Sequence, residues 1–235
     1  MTNFERLEEI LVTALQPSRR PVAVAFRQDP PAGVTKFVGS QPSSCSYWRL
    51  AAEGRTFYTV PSDHLNCPVG SYTHNIPLPA DREGELSQLL TVMSDIGYIR
   101  MEEVPAIPRL QNTPAVAIYA PLSDMPVDPD VVIVAGKPGR LMLLQEAATR
   151  SSKTSLPMLG RPTCSAIPAA LTASVASSLG CIGNRVYTGV DDDEFYTVIN
   201  GRDLNAIVRE IPTVTTANEM LKDYHIERRE ILTTL

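Results

Sequence analysis

Apolar residues first recur along this chain at helical spacing: Phe4, Leu7, Leu11 and Leu15 mark one face of an amphipathic helix over residues 3–16. Thr2 and Glu5 stand ahead of it at capping-box spacing, and Pro17 and Pro21 end it. The pattern then becomes continuous. Val22 to Phe26 is an apolar run suited to a buried strand, followed by a Pro/Gly loop and a second strand at 36–38. Ser43 or Ser44 caps a helix over 46–53, closed by Gly54, and an aromatic, β-branched strand follows at 55–60.

Leu86, Leu89, Leu90, Met93 and Ile96 restore the helical period up to Gly97, and a Pro-rich connector runs from Glu102 to Pro114. The runs 115–119 and 131–134 read as strands, and 138–148 as a helix with Pro138 at its permitted first turn. A helix near Pro168, a strand ending near Cys181, a strand at 194–199 and an Asn200-Gly201 turn come next. A helix at 204–210 and a last one opened by Thr216 and Glu219 complete the order. The expected fold is α/β or α+β, a mixed sheet covered by helices, in one domain over residues 1–235. Two halves, about 1–80 and 84–235, follow a similar order, with their strands offset by about 93 residues and their cysteine pairs by 119 and 114. An internal duplication and a mere likeness between βα segments both fit that order.

Composition narrows the class. The 235 residues can bury a large core without metal or disulfide staples, and a net charge of −5 offers nothing to nucleic acid or anionic lipid. The start of the chain is acidic and lacks the basic region of a signal peptide, and no apolar run approaches the ~20 residues that span a bilayer. A cytoplasmic location follows, with no nucleic acid and no membrane insertion. In that compartment the four cysteines read first as metal ligands, redox thiols or buried bystanders.

The cysteines fall into two matched contexts. Cys45 and Cys164 each belong to a Cys-Ser pair after a proline, at the expected start of a helix, where the dipole and free amides favour a thiolate. Cys67 and Cys181 each precede a glycine in a turn. Four thiolates among amide donors suit an iron–sulfur cluster, with [4Fe–4S] expected. The gaps of 22, 97 and 17 residues contain no Cys-x-x-Cys knuckle, which makes zinc the alternative. A helix-terminal cysteine acting as a nucleophile, or a pocket for a small molecule such as a tetrapyrrole, are further readings. Tyr72, Asn184 and Arg185 are the expected cofactor contacts beside the ligands Cys45, Cys67, Cys164 and Cys181. His64 and His74 flank Cys67 and read as loop surface, as members of a metal site or as proton carriers; Asp191 to Glu194 reads as a solvated turn or a hard-cation site. An unidentified redox partner is expected, and a homo-oligomer is allowed.

These same residues carry a resemblance. Pro21-Val-Ala-Val, Cys45 with Leu50-Ala-Ala-Glu-Gly54, Cys67 with Gly70, the Cys164 segment and Gly180-Cys-Ile-Gly-Asn-Arg-Val-Tyr-Thr-Gly189 with Asp192-Asp-Glu194 are similar to the DUF169 family of archaeal and bacterial proteins. Members carry Cys-Pro-Gly-Gly where this chain has Cys67-Pro-Val-Gly. The resemblance implies the paired-cysteine pattern and no particular reaction.

Overall fold

Six strands build the sheet that everything else covers. A computed structural model describes residues 3–233, so the capping role expected of Thr2 lies outside the described residues. The strands are β1 (Val22–Arg27), β2 (Phe57–Thr59), β3 (Val116–Pro121), β4 (Val131–Gly136), β5 (Val175–Ser178) and β6 (Phe195–Asn200). They lie in the order β2-β3-β1-β4-β6-β5, and every pairing between them is antiparallel. Parallel pairing is confined to isolated bridges, Lys36 with Tyr58, Ser155 with Val175, and Leu159 with Ser178. The expected strand at 36–38 shrinks to the first of these, with Val38 left exposed.

Each strand serves two cores, because successive side chains point to opposite faces. One face presents Ala23, Ala25, Ile118, Ala120, Val132, Val134 and Ile199. Against it pack α1 (Asn3–Leu15), α5 (Pro138–Arg150) and α8 (Leu204–Thr233), through leucines such as Leu7, Leu11, Leu141, Leu144 and Leu204. The other face presents Val22, Val24, Ala117, Tyr119, Val131, Ile133, Ala176, Tyr196 and Val198. It is covered by α2 (Ser46–Ala52) through Tyr47 and Trp48, and by α6 (Ala166–Thr172) through Ile167, Ala169 and Ala170. Burial on both faces is why the strands read as unbroken apolar runs and not as alternating ones.

The remaining helices, α3 (Pro68–Thr73), α4 (Glu85–Asp95) and α7 (Ile182–Thr188), stand on the α2–α6 side. One order recurs at the two edges of the sheet: a bridging segment, a cysteine, a helix, an edge strand, a second cysteine, a helix. At one edge it reads Lys36, Cys45, α2, β2, Cys67, α3; at the other it reads Leu159, Cys164, α6, β5, Cys181, α7. The C-terminal region departs from expectation in one respect. α8 runs unbroken through Pro212, and Thr215 and Thr216 spend their hydroxyls on the carbonyls of Ile211 and Pro212 one turn back instead of opening a new helix. No helix among the described residues is long and apolar enough to cross a membrane.

The Asn200-Gly201 turn joins β6 to α8 under tight constraint. The Asn200 amide donates to the carbonyls of Ala170 and Ala173, and the Gly201 N–H donates to that of Asp130. A Cβ on Gly201 would stand 1.7 Å from the Pro129 oxygen. Gly201→Ala therefore forces that backbone apart and is expected to cost at least about 1–3 kcal/mol of stability, read as a lowered urea midpoint.

Candidate functional site

All four cysteines line one cavity of about 440 Å³ on the α2–α6 side of the sheet, and all four are free thiols. Each is delivered by a different short element. Cys45 is the residue before α2, Cys67 the residue before α3, and Cys181 the residue before α7, while Cys164 sits in the single turn 163–165 that leads into α6. The turns expected at Cys67 and Cys181 are thus helix starts as well. Pro68 sets the first residue of α3, where its missing N–H costs nothing.

Local bonds fix the sulfurs. The Cys67 Sγ accepts the Gly70 N–H at 3.2 Å, and the Cys45 Sγ lies 3.1 Å from the Ser43 hydroxyl. The Cys181 N–H donates to Thr163 Oγ1 at 2.6 Å, which ties the fourth cysteine to the neighbour of the third. Gly70 is the glycine the geometry requires: an added Cβ would come 2.5 Å from Ser44 Oγ and 3.2 Å from the Cys67 sulfur. The valine at position 69 costs the site nothing of this kind, since its side chain lines the cavity.

The electrostatics run against the expected activation of Cys45 and Cys164. Burial pushes Cys45 up to about 11, only partly offset by Ser43 and Asn184. Burial also lifts Cys164 well above the ordinary thiol range, and lifts Cys67 against the pull of the Gly70 amide. Desolvation outweighs the end of a helix of seven residues. The thiols also oppose one another: Cys67 and Cys181 as thiolates raise Cys45, and Cys45, Cys67 and Cys181 raise Cys164.

Of the other expected contacts, Asn184 alone reaches the cavity. It is 1% exposed; its amide lies near enough to Cys45 and the Tyr196 hydroxyl to favour their charged forms slightly, without a well-formed hydrogen bond to either. Tyr72 turns away: its hydroxyl donates to the Val104 carbonyl, and the Arg109 guanidinium covers its ring at 4.1 Å. Arg185 is committed to the chain itself, donating to the carbonyls of Leu179, Asp191 and Glu194. That clamp, with Lys137 on Asp193 at 2.8 Å, makes 191–194 a structural turn. His64 and His74 are buried in the core and not on loop surface. His64 is held between Thr59 Oγ1 at 2.8 Å and Ser44 Oγ at 2.9 Å, and the two rings stack at 5.5 Å. His225 is exposed on α8.

The sequence offers Ser43 and Ser44 only as helix caps, and nothing in it marks the far wall. Ser43 and Ser44 adjoin Cys45 in the chain, so their role was within reach; the wall formed by Leu89, Leu90 and Met93 of α4 with Val104 and Ile107 carries no chemical signature. The donor set itself fits a soft metal centre: four thiols, with an amide donor at one sulfur. Among the described residues no three His, Cys, Asp or Glu side chains converge closely enough to hold a single ion.

The family model of DUF169, described as Uncharacterised ArCR, matches residues 10–210. The chain belongs to DUF169. No curated protein and no solved structure matches it. The DUF169 match contains all four cysteines, Gly70 and Asn184.

The buried histidines give this DUF169 chain an acid sensitivity. Burial, reinforced by His74, lowers His64 to about 3, and burial lowers His74 as well. Between an unfolded value near 6.5 and about 3, the unfolded chain takes up a proton that the folded His64 refuses, so stability falls with falling pH. Each pH unit in that window is expected to cost about 1.4 kcal/mol from His64 alone. Urea denaturation at pH 7, 6, 5 and 4 measures the slope, and His64→Gln should flatten it.

Proposed function

We propose that this chain is an iron–sulfur protein in which Cys45, Cys67, Cys164 and Cys181 hold one [4Fe–4S] cluster for electron transfer or redox sensing. The observation that carries the reading is the meeting of four free thiols, from segments up to 136 residues apart, on one cavity. Bound there, the cluster supplies one-electron chemistry. The chain supplies the rest. With Cys45 and Cys164 held in the protonated form by burial and by their thiol neighbours, the set can be deprotonated together only beside compensating positive charge, which metal binding provides. The Gly70 N–H steadies one sulfur, and the apolar wall from α4 and residues 99–108 limits water. His64, held neutral behind Ser44, adds no positive charge of its own.

A nucleophilic thiol is less well supported, because Cys45, Cys67 and Cys164 are all pushed away from the thiolate form. A reducing cytoplasm, where such thiols persist, and an unidentified redox partner complete the proposal.

Anaerobic reconstitution of the purified chain, followed by iron, sulfide and absorption analysis, tests it. About four irons and four sulfides per chain are expected, and each single Cys→Ser change should remove most of them. A chain that takes up neither, or Ser variants with unchanged content, would sink the reading. Labelling with iodoacetamide at pH 8 gives a second check on the metal-free folded chain. Half-buried Cys67 and Cys181 should react before Cys45 and Cys164, whose burial shields the sulfur and keeps it protonated.

A further inference from the structure

The chain leaves its core at Ile76 and rejoins it at Leu110, and no residue from 77 to 109 is buried. This segment holds α4 and a short 3-10 turn, Met101–Ala106. Its own bonds keep it in one piece. The Tyr98 and Ile99 N–H groups donate to the Met93 carbonyl near the end of α4, and Arg100 bonds Glu103 at 3.1 Å. A unit with so little burial opens at a lower free energy than the core it rests on.

The two ends of the segment are pinned together beside α3. The Leu110 N–H donates to the Thr73 carbonyl and the Asn75 amide to the Gln111 carbonyl, while Arg109 donates to the Tyr72 carbonyl and to Asn75 Oδ1. Two further bonds hold the same side: Arg82 donates to the Leu65 carbonyl, and the Tyr72 hydroxyl donates to the Val104 carbonyl.

The far side is held more lightly. There the segment reaches over the cavity to the stretches that carry Cys164 and Cys181. Arg161 bonds Glu103 at 3.2 Å and lies over the Tyr98 ring at 4.9 Å, and the Tyr98 hydroxyl accepts the Ile182 N–H at 3.4 Å. The Arg161 and Glu103 side chains are 37% and 36% exposed, and water weakens such a pair. Between the two attachments lies the cavity, which Leu89, Leu90, Met93 and Ile107 of the segment line together with the four cysteines.

We infer that residues 77–109 form a lid on the thiol cavity, hinged beside α3 and latched by Tyr98 and Glu103 to Arg161 and the start of α7. Release of the latch admits solutes to Cys45 and Cys164, the two buried thiols. The inference stands on the segment and its attachments, whatever the thiols hold.

Site-resolved labelling tests it. The full, metal-free chain is treated with iodoacetamide at pH 8, each cysteine is quantified by mass spectrometry, and hydrogen exchange is followed on the same samples. Tyr98→Leu and Glu103→Gln each cut the latch at a partly exposed residue. Each should speed labelling of Cys45 and Cys164 about two- to fivefold, the worth of one exposed ion pair or cation–π contact. Amides of α4 and of the 101–106 turn should exchange together, and faster in these variants, while those of α2 and α6 keep their wild-type rates. Arg100→Gln breaks a pair inside the segment, spares the latch and should change neither readout. Unchanged labelling in both latch variants, or labelling that rises only along with exchange in α2 and α6, would overturn the lid. The readout needs no metal, so a chain that takes up no iron can still show the lid, and one that takes up iron can lack it.

Discussion

Thiols gathered on one cavity, with Cys45 and Cys164 buried among them and pushed away from the charged form, are the constraint on which this molecule depends. Protonated, each is a small apolar group that the fold can bury at little cost, and Cys45 and Cys164 accordingly belong to the hydrophobic core. Deprotonated, they become like charges facing one cavity, and each of the others raises the cost of charging Cys164. The fold is therefore stable with neutral thiols and demands positive charge once they ionise. Burial of this kind separates Cys45 and Cys164 from the activated cysteine of a thiol enzyme, whose pKa is lowered.

Much of the fold was legible because burial wrote it into the pattern. α1 was visible in Leu7, Leu11 and Leu15, and β3 and β4 in unbroken apolar runs, because these residues pack as the pattern requires. The strand at 36–38 was not, since β propensity alone cannot hold a segment that finds a single bridging partner. The continuity of α8 was hidden by Pro212 and Thr216, which look like punctuation until the hydroxyls are seen bonding back along the helix.

The site was legible to a different degree. The matched contexts of the cysteines were in the chain; that they share a cavity depends on the curvature and covering of a six-stranded sheet, which spacing does not encode. Asn184 was picked for its nearness to Cys181 and does reach the cavity. Arg185, picked for the same reason, points elsewhere into carbonyls, because adjacent residues on a helix are turned about 100° from one another. His64 and His74 look like surface from their polarity alone, yet both lie inside the core: the His64 ring nitrogens bond Thr59 and Ser44, and His74 Nδ1 bonds the Gly70 carbonyl.

The bridges at Lys36, Ser155 and Leu159 have a meaning beyond pairing. β2 and β5 are the outermost strands, and an outermost strand ordinarily offers its free N–H and C=O groups to any passing chain. Here the segments leading to Cys45 and Cys164 lie along those strands and take up part of that bonding, Lys36 beside Tyr58 and Ser155 and Leu159 beside Val175 and Ser178. The segments that deliver two of the cysteines thus also guard the sheet against edge-to-edge aggregation. A deletion that shortened either would expose a template for mispairing as well as misplacing a sulfur.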